Sequence, residues 1–340
     1  MAGKKKKKQC CGEDALIERM KTLLGDPVRD VPLGIGDDCA VIGIGGGDTD
    51  LLVTTDLLVE GTHFRLEWSS PYQVGWKAVA ANVSDIASMG GRPTFAVVSI
   101  GLRARSRDYT VESLYEGISA AARRYGVTVV GGDTVLAERL TVNVALLGEV
   151  RRGRALMRKG ARPGDLLFVT GTCGDGAAGL DVLGTVPRED IGPTFMRRLV
   201  EAHLKPDPCI EAGVAAASTG AVTAMMDLSD GLAADLPRLA LRSGIGARVS
   251  SGAVPVSFEM IKWCKRAGRD PLELALGGGE DFNLLMAVKP ERADSFAAMV
   301  EHAGVPVTEI GRAVPREEGL CLVDENGQAR DWPAPGFEHF

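Results

Sequence analysis

The stretch "AMMDLSDGLAADL", residues 224–236, places an apolar run directly before an acidic loop and the apparent start of a helix. Asp227 and Asp230 flank Ser229, and Gly231 follows them. Helix capping explains this order without any function, because Asp and Ser are favoured at a helix N-cap and acids in the first turn complement the helix dipole. For an isolated segment, capping is preferred over a metal or phosphate site. The decision therefore depends on the rest of the chain.

The same order, an apolar run that leads to Asp amid small residues, recurs in "GIGDDCA" (Asp37, Asp38), "VTTDLL" (Asp56), "NVSDIAS" (Asp85) and "VVGGDT" (Asp133). An isolated ionised carboxylate is costly to bury, so such acids are usually exposed, paired or bound to a metal. Few Lys or Arg lie near these segments, and pairing is expected to be insufficient. Mg²⁺ takes carboxylate and hydroxyl oxygens, alongside water and substrate phosphates. The joint occurrence favours one shared metal site.

Each segment also has a purely structural interpretation, and on the residues alone these stay open. The loop with Asp38 fits a Gly-rich β-turn, Asp56 fits a turn at a strand end, and Asp133 fits a Gly-Gly-Asp turn. Asp85 differs, because it lies in an otherwise apolar or small helical segment with Asn82 one turn earlier on the same face. A polar face on a buried helix favours a functional interpretation.

Composition limits the class of protein. The 340 residues favour two domains, and 45% hydrophobic with 25% charged residues is typical of a soluble globular chain. The net charge of -6 argues against a nucleic-acid partner. Neither a membrane-spanning run nor a secretory leader is found, so a cytoplasmic protein is expected. Seven cysteines without a CxxC pair indicate reduced thiols rather than a zinc site.

Hydrophobic periodicity predicts a mixed α/β (α+β) fold in two domains. Helical spacing is found at 13–24, 72–90 and 109–124, and short β-branched runs such as "TFAVVSIGL" and "LLFVTG" indicate strands between and after them. Basic, Gly and Pro residues interrupt the pattern at 151–165. We therefore expect a basic, disordered tail at 1–12, an N-terminal domain at 13–151 and a C-terminal domain at 152–340.

The common nucleotide-binding motifs are missing: the chain contains no GxxxxGK[ST] and no protein-kinase set. Glycine-bearing turns at "GTCGDGAAG" and "GGGED" still offer backbone N–H groups to phosphates. A basic cluster from Arg151 to Lys159 offers positive charge, although a solvated linker is its simpler explanation. Phosphoryl transfer among several Mg²⁺ ions fits this combination, because the metals neutralise charge on the transferred group.

Taken in order, the motifs "GIGDDCA", "TTDLLVEGTHF", "NVSDIASMGGRP", "GGDT", "MDLSDGL" and "GGGED" resemble the thiamine-monophosphate kinase family, within the superfamily of aminoimidazole ribonucleotide synthetase. The resemblance runs from about residue 13 to the end. It implies transfer of the ATP γ-phosphate to thiamine monophosphate, with several Mg²⁺ ions. It also implies a homodimer formed through the N-terminal α/β domain, and a C-terminal α+β domain.

The resemblance assigns roles to individual residues. It implies Mg²⁺ positions at Asp38, Thr54, Thr55, Asp56, Asp85, Asp133, Asp227 and Asp230. Asp85, Asp133 and Asp227 are given the catalytic role among them. Nucleotide positions are Gly132, Asp133, Arg158 and Ser229, and substrate positions are His63, Glu280 and Phe337. Without the family, His63 is better explained as a hydrogen-bonding loop residue and Glu280 as a solvated turn acid.

The chain departs from the family pattern at four positions. Asn283 replaces a common Glu, Gly176 a frequent Ser, Phe337 the usual Trp or Tyr, and Glu338 the usual Asp. A phenyl ring still stacks on a flat ligand ring but offers no polar group. Two other functions remain: another ATP-using superfamily member, such as an aminoimidazole ribonucleotide synthetase, and a non-catalytic nucleotide- or metal-binding protein. His63, Glu280 and the C-terminal aromatic motif discriminate among them.

Overall fold

The computed structural model describes residues 13–25, 30–104, 108–334 and 336. The predicted tail at 1–12 and the predicted substrate residue Phe337 lie outside the described residues. The helices are α1 (Glu13–Leu24), α2 (Pro71–Ser88), α3 (Asp108–Tyr125), α4 (Asp175–Thr185), α5 (Thr194–Leu204), α6 (Ile210–Thr219), α7 (Leu232–Ser243), α8 (Phe258–Ala267), α9 (Pro271–Gly277) and α10 (Ala293–His302).

The strands are β1 (Ala40–Gly43), β2 (Thr49–Val59), β3 (Arg92–Leu102), β4 (Thr128–Leu136), β5 (Thr141–Arg151), β6 (Leu166–Thr170), β7 (Val222–Leu228), β8 (Ile245–Ser250), β9 (Asn283–Val288), β10 (Val307–Pro315), β11 (Leu320–Val323) and β12 (Ala329–Asp331). Among the described residues they form a five-stranded sheet in the order β1-β2-β5-β3-β4 and a seven-stranded sheet in the order β12-β11-β8-β10-β6-β9-β7. The mixed α/β fold class is therefore confirmed. The division near residue 152 stays a prediction.

Helix α2 lies between the two sheets and contacts β2 and β5 on one side and β7 on the other. Its start is fixed by a capping box between Ser70 and Gln73, with Pro71 at the first position. It crosses α3 so closely that a Cβ added at Gly75 would lie 2.1 Å from the Leu114 carbonyl oxygen. Most of α2 is buried, including the polar side chains of Lys77, Asn82, Ser84 and Ser88, which therefore face other protein atoms rather than bulk water.

The five-stranded sheet has one covered and one uncovered face. Val98 and Val144 point to the covered face and are fully buried. Leu57, Phe95, Val97 and Val135 point to the other face, which we call the outer face, and each is between 41 and 54% exposed. The edge strand β4 is exposed along its whole length. Soluble monomers seldom leave such a contiguous apolar surface uncovered.

The structure differs from the sequence prediction in several elements. The segment "GTCGDGAAGL" is predicted as a Gly-rich turn, but α4 begins within it at Asp175. Strand β8 and helices α8 and α9 were not predicted, because short amphipathic segments carry little periodic signal. Cys39, Cys173, Cys209, Cys264 and Cys321 are free thiols, as expected.

No helix among the described residues has the length and apolar character needed to cross a membrane. The predicted cytoplasmic location stays a prediction.

Candidate active site

Three of the predicted metal positions converge between the two sheets. One carboxylate oxygen each from Asp38, Asp85 and Asp227 lies within 4.8 Å of the others. Asp38 precedes β1, Asp85 lies in α2, and Asp227 is near the end of β7. We call these three residues the acid cluster. The sequence prediction that distant acids meet is therefore correct for this set.

Polar side chains of α2 hold the acid cluster in place. The Ser84 hydroxyl donates to Oδ2 of Asp227 (2.8 Å), and the Ser88 hydroxyl donates to Oδ2 of Asp38 (2.7 Å). Asp85 itself accepts from the Thr54 hydroxyl of β2 (2.5 Å). Sequence reasoning missed Ser84 and Ser88, although their spacing of four residues on a helix that already carries Asp85 was an available signal.

Two further acids lie beside the cluster. The Asp56 backbone N–H donates to Asn82 of α2 (3.1 Å), which fixes this part of β2 against the helix. Burial and the charges of Asp230 and Asp38 raise the pKa of Asp56 to about 6. Asp230 is therefore close enough to act electrostatically on Asp56. The acidic loop after β7 and strand β2 thus contribute acids to the same region.

Two arginines that are distant in sequence pair with acids of the site. Arg158 donates through Nε to Oδ1 of Asp38 (2.7 Å) and makes a second contact to the same oxygen through its terminal nitrogen. Arg238 of α7 donates to Asp230 and, at 2.8 Å, to Asp235. The expectation that pairing is insufficient is therefore wrong for Asp38 and Asp230. The basic segment that ends at Lys159 is likewise more than a solvated linker, since Arg158 belongs to the site.

Asp85 and Asp227 form no ion pair with Lys or Arg in the described part of the chain. Burial raises the pKa of Asp85, and the charges of Asp56, Asp227 and Asp38 raise it further. Burial also raises the pKa of Asp227, with Asp38 and Asp235 adding to the effect. Negative charges this close are costly unless a cation neutralises them. A largely buried set of hard oxygen donors with excess negative charge fits a divalent cation such as Mg²⁺.

The pH dependence of stability follows from these shifts. Asp56 has a pKa of about 6 in the folded chain against an ordinary value of 3.8, and Asp85 and Asp227 shift in the same direction. The folded chain then holds protons that the unfolded chain releases, so stability falls as pH rises from about 4 to above 6. Without divalent cations we expect the Asp56 contribution alone to be on the order of 2 kcal/mol.

Urea unfolding in EDTA at pH 4.5 and 7.5 measures this loss. Other groups titrate in the same range, so the wild type is compared with Asp85→Asn, which should show a smaller loss. Magnesium should restore wild-type stability mainly at the higher pH. An equal pH dependence in both proteins would contradict the assignment of the shift to these acids.

The side chains of Thr55 and Asp133 point away from the acid cluster of their own chain, and Asp133 is also distant from it. Strand register places Asp56 opposite Val144, Val144 opposite Val98, and Val98 opposite Gly132. Gly132, which directly precedes Asp133, is therefore three strand spacings, or about 14 Å, from Asp56. Asp133 and Thr55 also point to the outer face, away from the acid cluster, because neighbouring residues of a strand alternate. Asp133 is exposed, and its carboxylate accepts the N–H of Thr134 (2.8 Å). The two roles implied by the resemblance stay predictions.

The predicted substrate and nucleotide residues of the second half lie in two loops that pack on each other. The Glu280 N–H donates to the carbonyl oxygen of Ser229 (2.7 Å), so "GGGED" rests on the acidic loop. A Cβ at Gly279 would lie 2.5 Å from that oxygen, so only glycine permits the approach. His63 accepts the Val59 N–H at Nδ1 (3.0 Å). Its charge helps to lower the pKa of Glu280, which indicates that the two predicted substrate residues share one region.

Capping does not account for the acids of the opening stretch. Helix α7 has Gly231 as its N-cap, without a side-chain hydrogen bond. Asp227 instead belongs to the acid cluster, and Asp230 pairs with Arg238.

The departures Asn283 and Gly176 have local explanations. Asn283 donates to the Thr172 carbonyl oxygen (2.8 Å) and so ties β9 to the loop after β6. A Cβ at Gly176 would lie 3.0 Å from the carbonyl oxygens of Gly279 and Glu280, so a larger residue requires a small shift of that loop. The Gly176 N–H donates to Asp281 (3.0 Å), which joins the two glycine-bearing loops.

Comparison with known proteins agrees with this architecture. The family model for the N-terminal domain of AIR synthase related proteins matches residues 36–150, and the model for their C-terminal domain matches residues 162–322. The fold and the site thus define a two-domain protein of the AIR synthase related class, and the predicted two-domain architecture is confirmed.

Individual relatives identify the family within this class. The chain is 38% identical to the thiamine-monophosphate kinase of Aquifex aeolicus (strain VF5), over 94% of this chain and 97% of the relative. It is 36% identical to that of Escherichia coli (strain K12), over 97% and 98%. A solved structure described as AaThiL complexed with AMPPCP and TMP has a TM-score of 0.84 at 37% identity, over 97% of each chain. The chain belongs to the thiamine-monophosphate kinase family, a family of phosphotransferase enzymes, and the predicted resemblance is confirmed.

Proposed function

We propose that this protein transfers the γ-phosphate of ATP directly to the phosphate of thiamine monophosphate, giving thiamine diphosphate, at a site that holds several Mg²⁺ ions. The convergence of Asp38, Asp85 and Asp227 supports this proposal, because closely spaced carboxylate oxygens of this kind are suitable ligands for divalent cations. The similar structure with AMPPCP and TMP supports ATP and thiamine monophosphate as the two substrates.

In this proposal Asp38, Thr54, Asp56, Asp85, Asp227 and Asp230 hold the Mg²⁺ ions. Bound Mg²⁺ would neutralise charge that spreads over the transferred phosphoryl group. Arg158 would turn from Asp38 toward the nucleotide phosphates, and Ser229 would contact the nucleotide from the acidic loop. His63 and Glu280 would bind the thiamine end of the acceptor, with Phe337 stacking on its ring.

The proposed reaction requires few other catalytic groups from the protein. The acceptor is already an anionic phosphate oxygen, so no general base is required. Catalysis then depends on holding donor and acceptor in line and on stabilising charge in a site that excludes water. The buried hydroxyls of Ser84 and Ser88 keep the carboxylates of Asp227 and Asp38 oriented for this task.

Incubation with Mg-ATP and thiamine monophosphate tests the proposed function. We expect thiamine diphosphate and ADP in equal amounts, and no turnover in EDTA. The aminoimidazole ribonucleotide synthetase reaction is assayed in parallel, and activity there alone would reject the proposal. Binding of both ligands without any product would indicate the non-catalytic alternative.

Replacing Glu280 by Ala tests the assignment of the substrate end. The change removes a carboxylate from the predicted thiamine-binding region but leaves the acid cluster intact. We expect the KM for thiamine monophosphate to rise roughly 10- to 100-fold, with the KM for Mg-ATP within about twofold of wild type. Steady-state kinetics with each substrate varied in turn measures both values. A selective loss of ATP binding would show that Glu280 is misplaced.

We also propose that the protein is a homodimer formed through the outer face. Leu57, Phe95, Val97 and Val135 provide an apolar surface that a second copy would cover, and most soluble oligomers are symmetric homo-oligomers. The same face carries the side chains of Thr55 and Asp133, which point away from the acid cluster of their own chain. A partner packed on this face is the natural route by which Asp133 would serve a metal and a nucleotide.

A further inference from the structure

A buried lysine lies next to the predicted substrate residue and has no role in the function proposed above. Lys77 of α2 is 3% exposed, which is rare for lysine. Its Nζ donates to Oε2 of Glu280 at 3.0 Å. A buried ammonium group is tolerated only with such a partner, so the position of Lys77 is tied to that of Glu280.

Lys77 and His203 both approach the same oxygen of Glu280. Nδ1 of His203, which is itself buried, lies 3.1 Å from Oε2 but makes no hydrogen bond among the described residues. Burial lowers the pKa of His203 to about 4, helped by Lys77, so His203 is neutral at pH 7. Lys77 is therefore the cation that holds Oε2, while the Glu280 side chain keeps 29% of its surface exposed.

The backbone at Glu280 adds to this constraint. Its φ is 67°, and that of Phe282 is 52°, in the left-handed region that residues other than glycine seldom adopt. The N–H groups of both residues donate to carbonyl oxygens at the end of β7, those of Ser229 and Leu228. The loop thus fixes the position of the Glu280 backbone, and Lys77 fixes the position of its carboxylate.

Lys77 and the serines that hold the acid cluster belong to one helix. Seven residues separate Lys77 from Ser84, which corresponds to about 10 Å along the axis of α2. The helix therefore sets the separation between the Glu280 carboxylate and the acids that Ser84 and Ser88 hold. An acceptor bound at both places must carry its amine-bearing end and its phosphate at a matching distance.

We propose that Lys77 is a positioning residue that determines acceptor specificity, by orienting the Glu280 carboxylate to accept a hydrogen bond from an amino group of the acceptor. This inference rests on the proposed function. Lys77 does not touch the acceptor in this view and acts only through Glu280. Its effect should vanish when Glu280 can no longer act as a carboxylate.

A double-mutant cycle of Lys77→Met and Glu280→Gln tests the proposal. Each single change should raise the KM for thiamine monophosphate roughly 10- to 100-fold, with the KM for Mg-ATP nearly unchanged. The double variant should be no more than about threefold worse than Glu280→Gln alone. Lys205→Met is the matched control, because Lys205 also contacts α2, with Nζ 4.6 Å from the centre of the Trp76 ring, but pairs with Glu201 instead of Glu280.

The comparison of the double variant with Glu280→Gln is decisive even if Lys77→Met does not fold, because the double variant leaves no unpaired charge. A further rise of tenfold or more in that comparison would overturn the proposal, as would a normal KM in folded Lys77→Met. Wild-type turnover is measured first. Absence of thiamine diphosphate there rejects the proposed function, whereas wild-type turnover with additive effects rejects only the role of Lys77.

Discussion

Replacing Asp85 by Asn is expected to lower kcat on the order of 10³-fold or more while the fold is kept. Asp85 belongs to the acid cluster and accepts the Thr54 hydroxyl. Burial raises its pKa, and the charges of Asp56, Asp227 and Asp38 raise it further. An amide keeps the shape but loses the charge that binds a divalent cation. The variant should also lose most of the thermal stabilisation that Mg²⁺ gives to the wild type, which a melting curve measures without turnover.

The matched control is Asp50→Asn. Asp50 lies on the same strand β2, is 5% exposed, and accepts the Gly153 N–H at 2.9 Å, but it does not belong to the acid cluster. We expect a modest loss of stability with nearly normal kcat. Near-normal activity in Asp85→Asn, or equal inactivation by both changes, would refute the metal-binding role of Asp85.

The family and the acid cluster could be predicted from the sequence, because each motif combines strand or helix periodicity with an acid at its end. Asp85 is the clearest example, since a carboxylate in a helical segment of mainly apolar or small residues has no ordinary structural role. Its partners Asp38 and Asp227 followed from the shared pattern. Composition and periodicity were sufficient to predict the mixed α/β fold, although the short elements β8, α8 and α9 lack a periodic signal.

The ion pairs between these acids and their Arg or Lys partners could not be predicted from the sequence, because they depend on tertiary contacts. Arg158 lies 120 residues from Asp38, and Lys77 lies 203 residues from Glu280. Nothing local in the sequence indicates that these cations meet those acids. A single sequence therefore suggests uncompensated charge where the fold supplies partners. Among the buried or half-buried acids of the site, Asp56, Asp85 and Asp227 keep the excess charge that the sequence indicated, with a raised pKa for each.

Asp133 allows a test of whether each active site contains residues from two chains. We expect Asp133→Asn and Asp85→Asn each to be inactive alone, and a mixture of the two to recover activity when subunits exchange. If Asp133 serves the site of the partner, a mixed dimer has one complete site and one site with both defects. Random exchange makes half of the dimers mixed, so about a quarter of wild-type activity should return.

A mixture of Asp85→Asn with Asp227→Asn provides the contrast. These two residues belong to the acid cluster of one chain, so every site of a mixed dimer carries one defect and no activity should return. Adding Val135→Glu to both members of the first mixture should abolish its recovery, because a charge on the outer face opposes dimer formation; sedimentation measures the loss of dimers. No recovery in the first mixture, despite proven subunit exchange, would place Asp133 outside the partner's site and leave the dimer without a catalytic role.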